Sequence, residues 1–198
     1  MRCTYFHYLS VEIVCVMVKN RKHIRLQNYT YASEGLYFVT ICTGNRECYF
    51  GKIENDLMLL SDIGAQASLY WQDIPNHFPH VALGEFVIMP NHIHGIIEIV
   101  TNVHGVDSPK AVTCYGPTVL TTKERMAQLS PPQGSLSVVV RLFKSMVTKW
   151  CNQNNHTYFA WQYRFHDHII RSRKELETVE NYIRNNVSDW NRDKFYRL

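Results

Sequence analysis

The stretch Met89-Pro90-Asn91-His92-Ile93-His94-Gly95-Ile96-Ile97-Glu98 decides how the rest of the chain is read. Pro-Asn punctuates two apolar runs, so it reads as a tight turn feeding straight into a strand. Side chains alternate between faces along a strand, which sends His92 and His94 to one side and Ile93 to the other. Two imidazoles side by side on a rigid strand are a pair of metal ligands that lacks a third. The same pair would also suit a solvated sheet face, so what the chain can bring beside it decides between the two readings.

Working outward, residues 81–89 are a strand on the near side of the turn and residues 92–100 its partner, an antiparallel hairpin. Residues 36–43 (LYFVTICT) follow Gly35 and are rich in aromatic and β-branched types, as in a buried strand. Ser61 can cap a helix from Asp62 to Ile74 that Pro75 would stop. Ser135 or Ser137 opens a second helix, on which Val139, Leu142, Phe143, Met146, Val147 and Trp150 form an apolar stripe. Strand character returns at residues 159–161 and 165–170. Ser172-Arg173-Lys174-Glu175 is a capping box that starts a third helix at Arg173, running to about Asn186. The order strand, helix, hairpin, helix, strand predicts an α+β, ferredoxin-like antiparallel sheet with helices packed on one face and a C-terminal helix.

The chain has 198 residues and a net charge of +4, which suits one domain and permits an acidic partner without demanding one. Its six cysteines show no CxxC and no regular spacing, which argues against a zinc ribbon or a disulfide framework and for a reducing, cytoplasmic setting. The apolar run at residues 11–18 is too short to span a membrane and is interrupted by Glu12. Met17 looks like a more natural start, so residues 1–16 are expected to be a dispensable extension of a single domain over 17–198. Turn residues crowd the stretch 101–134, which reads as an insertion or flap.

In the last helix Leu176, Val179 and Ile183 form the core stripe. Tyr182 sits beside it and Asn186 lies one turn on, so a phenol and a carboxamide share a face. Tyr182 alone would pass for a packing aromatic. With His92 and His94 it makes a nucleophilic site for phosphoryl transfer: a divalent metal on the two imidazoles polarises a phosphate oxygen, the Asn186 carbonyl completes the ligand set, and Tyr182 attacks phosphorus. A phenol with a pKa of about 10 needs a base or the metal to act at neutral pH. The sequence names no clear base; His168 is as well read as structural.

Here the chain resembles the HUH endonucleases, whose His-hydrophobic-His motif is similar to His92-Ile93-His94. The nearer resemblance is to the single-tyrosine transposases of small insertion sequences, and closest to REP-associated tyrosine transposases. It is carried further by Ile24-Arg25-Leu26 with the strand from Tyr37 to Thr43, by Trp161-Gln162 with Phe165-His166-Asp167-His168-Ile169-Ile170-Arg171, and by Tyr182-Ile183-Arg184-Asn185-Asn186. Val187 stands where relatives often carry proline. The resemblance implies cleavage of single-stranded DNA beside hairpin-forming palindromes through a 5′-phosphotyrosine on Tyr182. It implies Mg²⁺ or Mn²⁺ on His92, His94 and Asn186, although imidazole also suits zinc. Relatives of the two kinds act as dimers or as monomers, which leaves a homodimer open. Arg141, Lys144, Lys149, Arg171, Arg173 and Lys174 are the candidate phosphate contacts, and Trp161, Tyr163 and Phe165 the candidate stacking surfaces; a solvated helix face and core packing are the plain alternatives. A hairpin-binding regulator of the same fold without catalysis, and a metal-dependent hydrolase that uses water, remain competing functions.

Overall fold

The computed structural model describes residues 34–100 and 134–196. The expectations for residues 1–16, for the lead-in at residues 24–26 and for the insertion through residue 133 lie outside the described residues. Four strands make the central sheet: β1 (Gly35–Cys42), β4 (Val81–Met89), β5 (His92–Ile99) and β6 (His166–Ile170). Their order is β4-β5-β1-β6 and every pairing is antiparallel. That is the ferredoxin-like order expected from the element sequence. Crossovers in such a sheet favour one hand, which sends the two connecting helices, α1 (Asp62–Gln72) and α3 (Leu136–Gln153), to the same face.

Their apolar stripes bury against alternate strand residues. Trp71, Val139, Phe143 and Val147 join Tyr37, Val39, Ile41, Ile93 and Ile97 in the main core. The Trp71 indole meets the Phe143 ring edge-on at 5.3 Å. Gly95 makes room for it, since a Cβ there would collide with the indole. The last helix, α4 (Arg173–Asn185), covers the opposite face, where Val179 and Ile183 pack on Phe38, Ile96 and Ile170. Arg184 ties α4 to the β4 irregularity between Leu83 and Phe86 by pairing with Glu85 at 2.9 Å.

Capping follows the sequence. Ser61 Oγ accepts the Gly64 N–H at 3.1 Å, and Ser172 Oγ accepts that of Glu175 at 3.2 Å. Glu175 reaches back to the Arg171 N–H (2.8 Å) and to His168 Nε2 (2.6 Å), so His168 is spent on the helix start.

Three local expectations change. Helix α1 ends at Gln72, and Pro75 stands in the first turn of the one-turn helix α2 (Ile74–His77), where a missing N–H costs nothing. Residues 159–161 form no strand but a single bridge, Thr43 to Trp161. Trp161 is held by side chains instead, against Phe50, Phe143 and Phe159. An added hairpin, β2 (Gly51–Glu54) and β3 (Leu57–Leu60), turns through Asn55 and Asp56, both left-handed at φ 52° and 59°. Consecutive left-handed residues make the turn that matches strand twist, and Asn and Asp tolerate it. Among the described residues no helix is long and apolar enough to cross a membrane.

Candidate active site

The His pair lies on the α4 face of the sheet, and the strand register supplies its supports. Thr40 stands opposite His94 on β1, and its Oγ1 is 2.8 Å from His94 Nδ1. Asn91, in the hairpin turn, places its Oδ1 2.8 Å from His92 Nδ1. The Asn91 amide end is unambiguous, because its Nδ2 donates to the carbonyls of Phe195 (2.8 Å) and Arg46 (3.2 Å). An acceptor at Nδ1 puts the His92 proton there and leaves Nε2 with a lone pair, the form a metal ligand needs. The turn is pinned in turn, since its Pro90 and Asn91 carbonyls accept the N–H groups of Phe50 and Thr43 at 3.0 Å each.

Both imidazoles are fully buried. Burial holds His92 well below the ordinary histidine range and His94 down at about 3, so both are neutral at physiological pH.

From α4, Tyr182 brings its Oη within 3.3 Å of His94 Nε2. Its ring meets Phe38 edge-on at 6.1 Å. One turn on, Asn186 caps the helix and enters the same space, buried. The four residues that the sequence singled out, His92, His94, Tyr182 and Asn186, therefore meet at one place.

A fifth group joins them that sequence reasoning missed. After a short 3₁₀ turn (Trp190–Arg192) the chain folds back and inserts Asp193. Its Oδ2 lies 3.4 Å from Tyr182 Oη, 3.3 Å from Asn186 Nδ2 and 4.0 Å from His92 Nε2. Burial raises its carboxyl above the usual range. One ligand atom each from His92, His94 and Asp193 falls within a span of 4.8 Å.

The arrangement fits a divalent cation on its own terms. His92 Nε2 and Asn186 Oδ1 are buried and make no hydrogen bond. Orphaned buried atoms are costly, and two of them beside a carboxylate and a second imidazole are the donor set of a mixed nitrogen–oxygen metal site.

The basic candidates lie elsewhere. Arg141, Lys144 and Lys149 are on α3, across the sheet from the histidines, where they line a groove of about 520 Å³ with Thr148 and Asn152. Lys144 braces a loop: its Nζ donates to the Gln162 carbonyl at 2.6 Å and sits over the Trp161 ring, and burial lowers its pKa to about 8. Arg171, Arg173 and Lys174 are exposed around the start of α4, on the site's side of the sheet. Tyr182 lies nine positions after Arg173, about 13 Å along the helix. Trp161 and Phe165, both partly buried, pack against the main core, whereas Tyr163 is 91 % exposed.

No family model matches the chain. An uncharacterized protein of Haemophilus influenzae is 42 % identical over 182 residues, covering 90 % of this chain and 94 % of that protein. Among solved structures, the REP-associated tyrosine transposase bound to a REP hairpin aligns over 84 % of this chain and 79 % of that one. Its TM-score is 0.51 at 20 % identity, which bears out the fold expected from the sequence.

Proposed function

The chain belongs to the family of that Haemophilus influenzae protein and has the fold of the REP-associated tyrosine transposase; from this premise we propose that it is a metal-dependent, single-stranded DNA endonuclease and strand transferase with Tyr182 as its nucleophile. The observation that carries the reading is the approach of Tyr182 Oη to His94 Nε2, 3.3 Å, beside the orphaned Nε2 of His92 and Oδ1 of Asn186.

His92, His94 and Asn186, with Asp193, would hold the cation. Bound there, Mg²⁺ or Mn²⁺ would polarise the phosphate and offset its charge. Tyr182 Oη attacks phosphorus in line with the 3′-oxygen, which leaves as a hydroxyl, and the strand stays joined to the enzyme as a 5′-phosphotyrosine. Asp193 Oδ2, 3.4 Å from the phenol oxygen, is the carboxylate within reach of its proton. Phe38 and His94 fix the direction of the phenol by packing on its ring. Attack of a free 3′-hydroxyl on the phosphotyrosine reverses the step and reseals DNA. Arg141 and Lys149 on α3, with Arg171, Arg173 and Lys174 on α4, supply phosphate contacts to a hairpin substrate, and Tyr163 offers a face for an unpaired base. A DNA substrate is in keeping with a cytoplasmic protein.

The test is a denaturing gel with a labelled single-stranded oligonucleotide that carries a hairpin. Wild type should give a protein–DNA adduct with Mn²⁺ and none with chelator, and Tyr182→Phe should lose it by at least about 10³-fold. An undiminished adduct in Tyr182→Phe overturns the assignment. Tight hairpin binding with no nicking would instead favour the regulator.

A further inference from the structure

One histidine on the site face of the sheet has no task within the protein. Along β6, His166, His168 and Ile170 point to the site face, while Asp167 and Ile169 point to the main core. Ile170 packs under α4, and His168 Nε2 is taken by Glu175 at 2.6 Å. The His166 ring, in contrast, has no hydrogen bond, ion pair or ring contact among the described residues. It is half-buried, and β6 is the last strand of the sheet, so no further strand of the described residues covers its outer flank.

Register puts that ring in line with the site. Thr40 on β1 stands between His94 on β5 and His166 on β6. Two strand spacings, about 10 Å, therefore separate the backbones of the two histidines. Thr40 gives its hydroxyl to His94, 2.8 Å away, and leaves His166 unengaged. His166 is still near enough to disfavour protonation of His94. The approach to it is rigid. Just before β6 the chain is pinned to the end of β1, where the Gly44 N–H donates to the Ala160 carbonyl at 2.7 Å and the Gln162 N–H to that of Cys42 at 2.9 Å. Lys144 Nζ holds the Gln162 carbonyl from the other side of the sheet. A ring whose backbone is fixed and whose nitrogens are idle toward its own protein is preorganised for an outside partner.

The chemistry of the ring narrows that partner. Burial first, then Lys194 and Arg46, hold His166 below the ordinary histidine range, so it is neutral at physiological pH. A neutral imidazole carries one N–H donor and one acceptor nitrogen. Phosphate oxygens only accept, and they prefer a cation. The edge of an unpaired base carries donors and acceptors together. A nucleotide joined to a phosphate held at His94 can lay its base over the neighbouring end of the row.

We propose that His166 reads an unpaired base beside the scissile phosphate and is a specificity-determining residue of the cleavage. The identity of the ligand, single-stranded DNA, rests on the strand-cleavage reading above. What is added is that this end of the sheet selects sequence by a protein contact.

Single-stranded oligonucleotides with a constant hairpin and a randomised flank test this. They are sorted by binding with chelator present, or by adduct formation with Mn²⁺, and each pool is sequenced. Wild type should prefer one base at a position of the flank. His166→Phe, which keeps a ring without its nitrogens, and His166→Ala should both lower that preference by about 2–10-fold. His166→Gln, which keeps a donor and an acceptor, should retain part of it. The salt dependence of binding should stay at the wild-type slope, because no charge is removed. A structural role would instead weaken every sequence alike. Equal losses across the pool, the wild-type preference in His166→Phe, or a wild type with no preference at all would each overturn the proposal. Lost preference in the binding pool with no Tyr182 adduct from any sequence would sink the cleavage reading and keep the base contact. A Tyr182 adduct with unchanged preference would do the reverse.

Discussion

The two faces of one sheet have opposite chemistry. On β5, Ile93 and Ile97 point into a dry core with Trp71 and Phe143, while His92 and His94, their neighbours in sequence, point to Tyr182, Asn186 and Asp193. One face meets burial almost wholly with carbon, the Trp71 indole N–H excepted. The other buries imidazoles, an amide and a carboxylate and leaves two of their atoms without a hydrogen bond. A strand's two-residue period lets stability and chemistry share a backbone without sharing side chains, and the comparison says which substitutions should disturb which property.

The largest effect on folding should come from the dry face. Trp71→Ala should cost about 3–5 kcal/mol in denaturant unfolding, while the folded fraction keeps its metal affinity. A Trp71→Ala protein of normal stability would mean that this face is not the main core.

The site face should contribute stability through its ligand instead. Mn²⁺ at a hundredfold excess over its Kd should stabilise the wild type by about 2.7 kcal/mol in a thermal shift. His92→Ala should lose that gain. Equal gains in both proteins would break the assignment of His92.

A smaller effect is expected one layer out. Asn91→Ala removes the acceptor that sets the His92 proton, and Mn²⁺ affinity should fall by about 10–100-fold in calorimetry while Tyr182 keeps its place.

Per pH unit and per histidine, the smallest effect is in pH. Folding depresses both imidazoles below their unfolded value near 6.5, His94 to about 3. Between those limits the unfolded chain binds more protons than the native one. Stability of the metal-free protein should therefore be whole above pH 6.5 and fall as pH drops below it, by at most about 1.4 kcal/mol per unit for each histidine. Replacing His94 with glutamine should flatten that slope. A slope of the opposite sign would mean that the pair is charged in the native state.

What could be read in advance was periodic or local. The hairpin, the apolar stripes of α3 and α4, the Ser172 cap and the shared face of Tyr182 and Asn186 all follow from spacing along one element. What escaped depends on contacts between distant segments. Thr40 matters only because register sets it against His94. Asp193 lies in an irregular tail with no period to betray it, and enters the site by folding back past Trp190. Asn91 read as a turn residue, and only the tail and the Arg46 turn show that it is a clamp. Helical spacing marked the exposed face of α3 but could not tell which side of the sheet it would occupy, so Arg141 and Lys149 end opposite the histidines. The Asn55-Asp56 turn lacks the glycine that marks most two-residue hairpin loops, so β2 and β3 are hard to see in the sequence.

Of the chain's twelve tyrosines, Tyr182 alone is assigned the nucleophile's role. Tandem mass spectrometry of the nuclease-trimmed protein–DNA adduct locates the covalent bond directly. A nucleotide 5′-phosphate on the peptide that contains Tyr182 is the predicted result; the same mass on any other residue, the exposed Tyr163 included, would contradict it.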